Sequence, residues 1–366
     1  MAKPLLHRRG FIVGAAAAAA AGGGYLYLRE ADMDAYDAAA TALRAPLPAD
    51  AGRRDLVRYA TLAANSHNTQ PWRFRLAERR IDVLPDFSRR TPVVDPDDHH
   101  VFVSLGCAAE NLATAAAARG FGGAVAFDPA GDGAVSVSLD PAAPRETPAF
   151  AAIPLRQVSR AVYDGRPVGP ADLAALEQAA RSDMVEALIV TDRAQMETIL
   201  ALVVEGNTAQ FTDPAFMAEL KHWIRFNPAD ALSHGDGLFS ATTGNPSIPD
   251  WLGRLVFGFV ASAKSENART AEQIRSSAGI LVLVGKAADR AHWVECGRAY
   301  QRFALEATTL GLRHAFINQA VEVPAVRERL AAELGLPGRR PDLIVRFGTG
   351  PEMPRSLRRP VEAVIA

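Results

Sequence analysis

Apolar residues fall into two kinds of pattern along this chain, and those patterns lay out strands and helices before any motif is considered. Ile280-Leu281-Val282-Leu283-Val284 is an unbroken apolar run of strand length closed by Gly285, so it predicts a strand covered on both faces. Ala315 to Asn318 and Leu343 to Gly348 predict two more. Earlier the pattern alternates: Arg73-Phe74-Arg75-Leu76 and Ile81-Asp82-Val83-Leu84, around the charged turn Glu78-Arg79-Arg80, read as a half-buried pair of strands, and Val135 to Leu139 as another. Helical spacing marks Met33 to Leu43, closed by Pro46 and Pro48, and then Leu56, Val57, Tyr59, Ala60 and Ala63. A longer helix from Val103 to Arg119 carries small residues on nearly every face, which lets another helix approach closely.

That helix returns later in the chain. Aligning Gly106 with Gly297 also pairs Ala113 with Ala304, Ala116 with Ala307, Gly120 with Gly311 and Phe121 with Leu312. Both glycines and the apolar pair in one register predict a duplicated unit. Asp140 to Pro148 holds three prolines without apolar periodicity and reads as an extended connector. The chain therefore divides into a first half at 31–140, a linker at 141–152 and a second half at 153–366, an α+β arrangement of antiparallel or mixed sheets flanked by helices. Residues 205–259 have no counterpart in the first half and carry Phe211, Phe216, Trp223, Phe226, Phe239, Trp251, Phe257 and Phe259. Such an insertion is either a cover over a planar ligand or a helical hairpin packed on the core.

Composition narrows the function. With 366 residues, 49% of them hydrophobic and 22% charged, the chain is globular and large enough for one big domain or two ordinary ones. A net charge of −1 gives no general attraction to nucleic acid or anionic lipid, so a nucleic-acid partner is not expected. Cys107 and Cys296 lack C-x-x-C spacing and read as small core residues. Asp95-Pro96-Asp97-Asp98-His99-His100 precedes a helix. A continuous run does not arrange ligands around a point, and acidic residues suit a helix start, so no metal site is expected there. No phosphate-loop, G-x-S-x-G or H-E-x-x-H sequence occurs, and an enzyme of this sequence would draw its reactivity from a cofactor.

The candidate chemistry centres on Asn65-Ser66-His67-Asn68-Thr69-Gln70-Pro71-Trp72, where hydrogen-bonding side chains crowd the end of a helix and Pro71 stops it from continuing. Ser66-x-Asn68-x-Gln70-Pro71-Trp72 resembles a loop of the nitroreductase superfamily of FMN-dependent oxidoreductases, and the flanking sequence is similar to its two-halved subgroup typified by the mycobacterial Acg proteins. The resemblance implies a nitroreductase-like fold in which two tandem half-units form an intramolecular pseudo-dimer, a monomer holding one FMN. It implies further that Ser66, Asn68 and Gln70 reach that FMN from the first half.

The second half opens with Arg156, Gln157, Val158, Ser159 and Arg160, similar to a basic and hydroxyl segment near the nitroreductase N-terminus that holds the flavin ring edge and phosphate. On a helix, Arg156 and Arg160 would share one face with Ser159 beside them, a set that suits a dianionic phosphate; the other reading is a solvated basic face. After the last strand come Arg355 and Arg358, with Arg359 as the alternate, where nitroreductases carry basic phosphate-binding residues. A solvated chain end is the alternative there. No catalytic side chain is expected.

Two functions follow from the resemblance. One is two-electron reduction of nitroaromatic, quinone or related conjugated acceptors, with NAD(P)H or another donor. The other is a non-catalytic FMN-binding or flavin-sequestering protein with a closed lid. Arg8-Arg9-Gly10-Phe11, followed by uncharged residues to Leu28, resembles a twin-arginine export signal. Residues 1–30 are then either a signal or an N-terminal anchor read by the Tat export machinery. The protein would be periplasmic or held on the outer side of the inner membrane, where reduced nicotinamide is not expected.

Overall fold

The computed structural model describes residues 32–366, so the twin-arginine segment lies outside the described residues. Helix α1 spans 32–43 and α2 spans Arg53–Thr61. Four strands then build the first sheet: β1 (Trp72–Leu76), β2 (Arg80–Pro85), β3 (Val125–Asp128) and β4 (Ala134–Ser138), with α3 (His99–Ala118) between β2 and β3. All neighbours are antiparallel in the order β1-β2-β4-β3. The alternation in sequence becomes alternation of faces: Trp72, Phe74, Ile81, Val83, Val135 and Val137 are buried, while Arg73 and Arg75 stay exposed.

α4 (Pro148–Ala152) follows the proline-rich connector, which is thus helical in its last turn because Thr147 caps the Phe150 N–H and Pro148 occupies a first-turn position that needs no donor. α5 (Pro170–Ala180), β5 (Val185–Val190), α6 (Arg193–Thr212) and α7 (Pro214–Trp223) come next. The short parallel pair β6 (Ile224–Arg225) and β7 (Leu238–Phe239) brackets α8 (Pro228–His234), and α9 (Asp250–Val260) and α10 (Ala263–Arg275) complete the inserted region. The 205–259 insertion is therefore mostly helical, and it begins inside α6.

The second sheet is β5, β8 (Gly279–Gly285), β9 (Arg313–Phe316) and β10 (Pro341–Gly348), with α11 (Arg290–Thr309) between β8 and β9 and with α12 (Gln319–Glu322) and α13 (Pro324–Glu333) before β10. Its order is β5-β8-β10-β9, again antiparallel throughout. Taken in chain order, each sheet is thus first-second-fourth-third, with its long helix in the same gap. The unbroken apolar run of β8 is explained by cover on both sides: Leu281 and Leu283 join the core shared by the two halves, while Ile280, Val282 and Val284 meet α6, α12 and α13.

The halves meet where α3 crosses α11. A Cβ on Gly106 would lie 1.9 Å from the Val294 carbonyl oxygen, and a Cβ on Gly297 would lie 1.9 Å from that of Val103. Each glycine faces the carbonyl three residues before the other, the reciprocity of a two-fold contact. The helix ends match as well: Gly120 and Gly311 both have positive φ, and Phe121 N–H to Ala116 O (3.0 Å) corresponds to Leu312 N–H to Ala307 O (2.8 Å), the same C-terminal cap twice. The boundary between halves is crossed by arms. The C-terminal residues pair beside β1, Ala366 N–H donating to Phe74 O, and Tyr36 of α1 packs with Phe239 and Leu357.

Residues 156–160 are not helical, contrary to the spacing argument. Val158 makes a parallel bridge with His314 beside β9, which draws the segment out straight. Arg156, Gln157, Val158 and Arg160 then line the cavity described below, while Ser159 turns to Pro351 O.

Candidate functional site

A cavity with about 1540 Å³ of free space, its open mouth included, lies at the seam of the halves. One wall is the loop after α2, Ala64 to Asn68. A second is the face of α3 made by His100, Val103, Ser104 and Cys107, spaced three and four apart as one helix face requires. Arg156, Gln157, Val158 and Arg160 come from the extended segment, and Pro354 to Ser356 and Arg358 from the tail. Phe211, Phe216 and Leu220 of α6 and α7 cover it from the insertion, together with Leu238, Thr242 and Thr243. Of the insertion's aromatics among the described residues, only Phe211 and Phe216 line the cavity; Trp223, Phe226 and Phe239 are buried elsewhere and Trp251 is exposed.

Of the eight residues expected from sequence, Ser66, Asn68, Arg156, Arg160, Arg355 and Arg358 line this cavity, and Gln70 and Ser159 do not. Gln70 is fully buried, donating to Gly235 O (2.9 Å) and accepting the Arg359 N–H (2.8 Å). Ser159 donates to Pro351 O at 3.2 Å, on the far side of its segment. Asn68 is committed within the protein, donating to Gly237 O and Leu357 O while its oxygen accepts Arg358 Nη1 at 2.9 Å. The loop is thus a junction that ties the Gly235–Gly237 turn and the tail to the first half. It needs a tight path, with His67, Asn68 and Gln70 at φ of 47°, 53° and 55°, strained for residues other than glycine.

The basic wall has four guanidinium groups in two states. Arg358 is fully committed, capping the end of α2 through Thr61 O, Leu62 O (3.3 Å) and Ala63 O (3.0 Å). Arg44, which no local sequence signal picks out, bonds Ala40 O and Ser356 O at 2.8 and 2.9 Å. Arg355 bonds Leu155 O at 2.8 Å. Arg156 is 6% exposed and gives Nη2 to Leu62 O (2.8 Å); Nε and Nη1 have no partner of good hydrogen-bond geometry among the described residues, and the Tyr300 hydroxyl, paired with His314, stands near enough to feel the guanidinium. Burial first, then Arg355 and Arg156, pull the Arg44 pKa down to about 10. Burial and then Arg44 and Arg156 lower that of Arg358 too. Of the four, Arg355 has a carboxylate beside it, Glu352 Oε1 at 3.6 Å, and no ion pair joins Arg44, Arg156 or Arg358 to an acidic group among the described residues. A phosphate fits this donor set: Arg156 lines the cavity among like charges and keeps two buried nitrogens without a partner of good geometry among the described residues.

The opposite side differs. Arg160 is exposed to the cavity, with Glu266 and Glu322 among its nearest charges. Burial pushes the Glu322 carboxyl up to about 7, against the hydrogen bond it accepts from Gln210 Nε2 at 2.6 Å. A carboxyl whose folded pKa is raised contributes stability that is fully present below its unfolded pKa and is lost as pH rises through the folded value, here from about 4.3 to 7. Glu322→Gln should remove that loss, leaving the variant about 2–3 kcal/mol more stable relative to wild type at pH 8 than at pH 5. Urea midpoints across that range measure it; parallel curves would show that Glu322 titrates normally. Burial also holds the His67 imidazole at a pKa of about 4, with Arg160 acting the same way, so it faces the cavity neutral near pH 7.

The run Asp95 to His100, expected to be a plain helix start, also gathers ligands. One ligating atom from each of Asp95, His99 and His100 lies within 4.8 Å of the others, because Asp98 takes a left-handed turn (φ 60°) and Asp95 folds back to accept the His100 and Val101 N–H groups.

Over 324 residues the chain is 27% identical to a Mycobacterium tuberculosis protein named "Putative NAD(P)H nitroreductase Rv3131", a match covering 85% of this chain and 90% of that one. The resemblance is to nitroreductases along most of the chain. "Putative NAD(P)H nitroreductase acg" of the same organism is 24% identical over 322 residues, covering 85% and 94%. No family model matches. Among solved structures, the FMN-dependent nitroreductase NfnB of Mycobacterium smegmatis in complex with NADPH overlaps 56% of this chain and 87% of its own with a TM-score of 0.37 at 14% identity. A Bacteroides fragilis nitroreductase with bound FMN gives 56%, 90%, 0.35 and 17%.

Proposed function

We propose that this chain is an FMN-dependent oxidoreductase of the nitroreductase type, carrying two electrons from a nicotinamide or another donor to nitroaromatic, quinone or related conjugated acceptors. The observation that carries the reading is the basic wall: Arg44, Arg156 and Arg355 converge on a seam cavity, and two buried nitrogens of Arg156 have no partner of good geometry among the described residues. The similarity to NAD(P)H nitroreductases over most of the chain supports the same class. Arg44, Arg156 and Arg355 would hold the phosphate, with Arg358 keeping the loop in place behind them. Bound FMN supplies hydride and single-electron chemistry through its ring system.

The protein's own part is to position and to shield. Val103 and Cys107 of α3, with Phe211 and Phe216 of the cover, give the cavity apolar surface for a flat ring, and Ser66, His67 and Arg160 offer polar groups at its edges. The matching strand orders and the reciprocal glycines support a pseudo-dimer of two tandem copies with one flavin per chain. The twin-arginine resemblance supports export of the folded, loaded protein, with a donor other than cytoplasmic nicotinamide.

The test begins with the spectrum of the purified full-length protein, expected to be that of a bound flavin. Addition of NADPH or dithionite should bleach it, and a nitroaromatic or quinone should restore it. Colourless protein that takes up no FMN sinks the reading. Flavin that bleaches with dithionite and ignores every acceptor moves the protein to the sequestering class.

A further inference from the structure

We propose that Asp95, His99 and His100 bind one divalent transition-metal ion of the zinc class, in the wall of the cavity at the start of α3. The three side chains are 3%, 2% and 7% exposed, and their ligating atoms lie within 4.8 Å of one another. His100 Nδ1 stands 3.9 Å from Asp95 Oδ1. Tetrahedral ligands with arms of about 2.1 Å stand roughly 3.4 Å apart, so the His100–Asp95 pair has to close by about 0.5 Å and a pair at the full 4.8 Å by about 1.4 Å.

A second observation points to a ligand. His100 is buried, yet neither of its ring nitrogens has a hydrogen-bond partner among the described residues. A buried polar group left so is destabilising, and a cation on one nitrogen removes that cost. His99 is already arranged as a metal-bound imidazole would be. Its Nε2 meets Asp342 Oδ1 at 2.9 Å, and Asp342 Oδ2 takes the Gly285 N–H at 2.6 Å, so a fixed carboxylate sets the tautomer and leaves Nδ1 for the ion. Asp95 accepts three backbone bonds from His100 and Val101, which hold its carboxylate still and offset the positive helix end that would otherwise repel a cation.

Donor chemistry chooses the ion. Two imidazoles and one carboxylate favour zinc and its first-row neighbours over magnesium or calcium, which require oxygen. Three protein ligands leave a coordination position open, on the His100 side that reaches the cavity. The proposal does not depend on a flavin being bound.

Full-length protein freed of metal by chelation is titrated with Co²⁺ and then Zn²⁺, read by metal analysis after equilibrium dialysis and by the visible bands of low-coordinate cobalt. One ion per chain is expected, with zinc displacing cobalt. His100→Gln and Asp95→Asn should weaken binding by more than tenfold, and Asp342→Asn by about tenfold or more as an outer carboxylate does. If Asp95→Asn fails to fold, His100→Gln still decides, because its ring has no hydrogen bond to lose. Absence of a stoichiometric ion in the wild type overturns the proposal, as does undiminished binding in His100→Gln. So does a wild type that binds no ion while His100→Gln loses flavin, since the imidazole then serves the cavity ligand directly.

Discussion

Gly106→Ala is expected to lower stability by about 3 kcal/mol or more, read as a fall in the urea midpoint, and Gly297→Ala by a similar amount. The sign is opposite to what helix propensity alone gives, since alanine in place of a helical glycine ordinarily stabilises by about 0.5–1 kcal/mol. Here the new Cβ would sit 1.9 Å from a backbone oxygen of the facing helix, 2.8 Å from its carbon and 3.1 Å from the Arg298 nitrogen. None of those atoms can rotate away, so α3 and α11 must part by roughly an ångström, which forfeits dispersion contacts along the whole crossing. Gly297 meets Val103 and Cys107 in the same way. Because one separation relieves both clashes, the double variant should cost clearly less than the sum of the singles. Strict additivity, or an alanine variant as stable as wild type, would refute the reciprocal contact.

This crossing was legible in the sequence for the same physical reason that makes it fragile. A backbone contact between two crossing helices tolerates only glycine, so glycine stands at the matching place in both, and Gly120 and Gly311 end them alike. The central strands were legible because a run apolar on every residue has to be covered twice, as β8 is. What could not be read was which partner decides a locally ambiguous segment. A spacing of four between Arg156 and Arg160 suits a helix or an extended chain equally, and the choice is made by His314, far along the chain in β9. The error falls on Ser159, which turns to Pro351 O and not to the cavity that both arginines line. Gln70 has a suitable side chain for a polar ligand, but its amide meets Gly235 and Arg359, and no pattern near it announces either. Arg44 follows the last residue of α1 with no signal beyond its charge, and it reaches the cavity because α1 packs against the tail. The Asp95 to His100 cluster was missed because a left-handed Asp98 bends a continuous run around a point.

Arg156→Ala is expected to weaken FMN binding by 10- to 100-fold and to leave riboflavin binding nearly unchanged. Hydrogen bonds to a charged group are worth about 1.5–3 kcal/mol, which is that factor, and riboflavin lacks the phosphate that would receive them. Wild-type protein should therefore prefer FMN to riboflavin by a similar factor, and the variant should lose the preference. Arg156→Lys should recover only part of it, since a single ammonium cannot supply both Nε and Nη1 in the fork that the cavity presents. Arg358→Ala serves as the contrast. Its guanidinium holds Thr61, Leu62, Ala63 and Asn68, so removing it loosens the loop and should weaken FMN and riboflavin alike while lowering stability. Flavin fluorescence titration gives all of these affinities on one scale. Equal losses of FMN and riboflavin in Arg156→Ala would place the phosphate elsewhere and make the basic wall a scaffold rather than a binding surface.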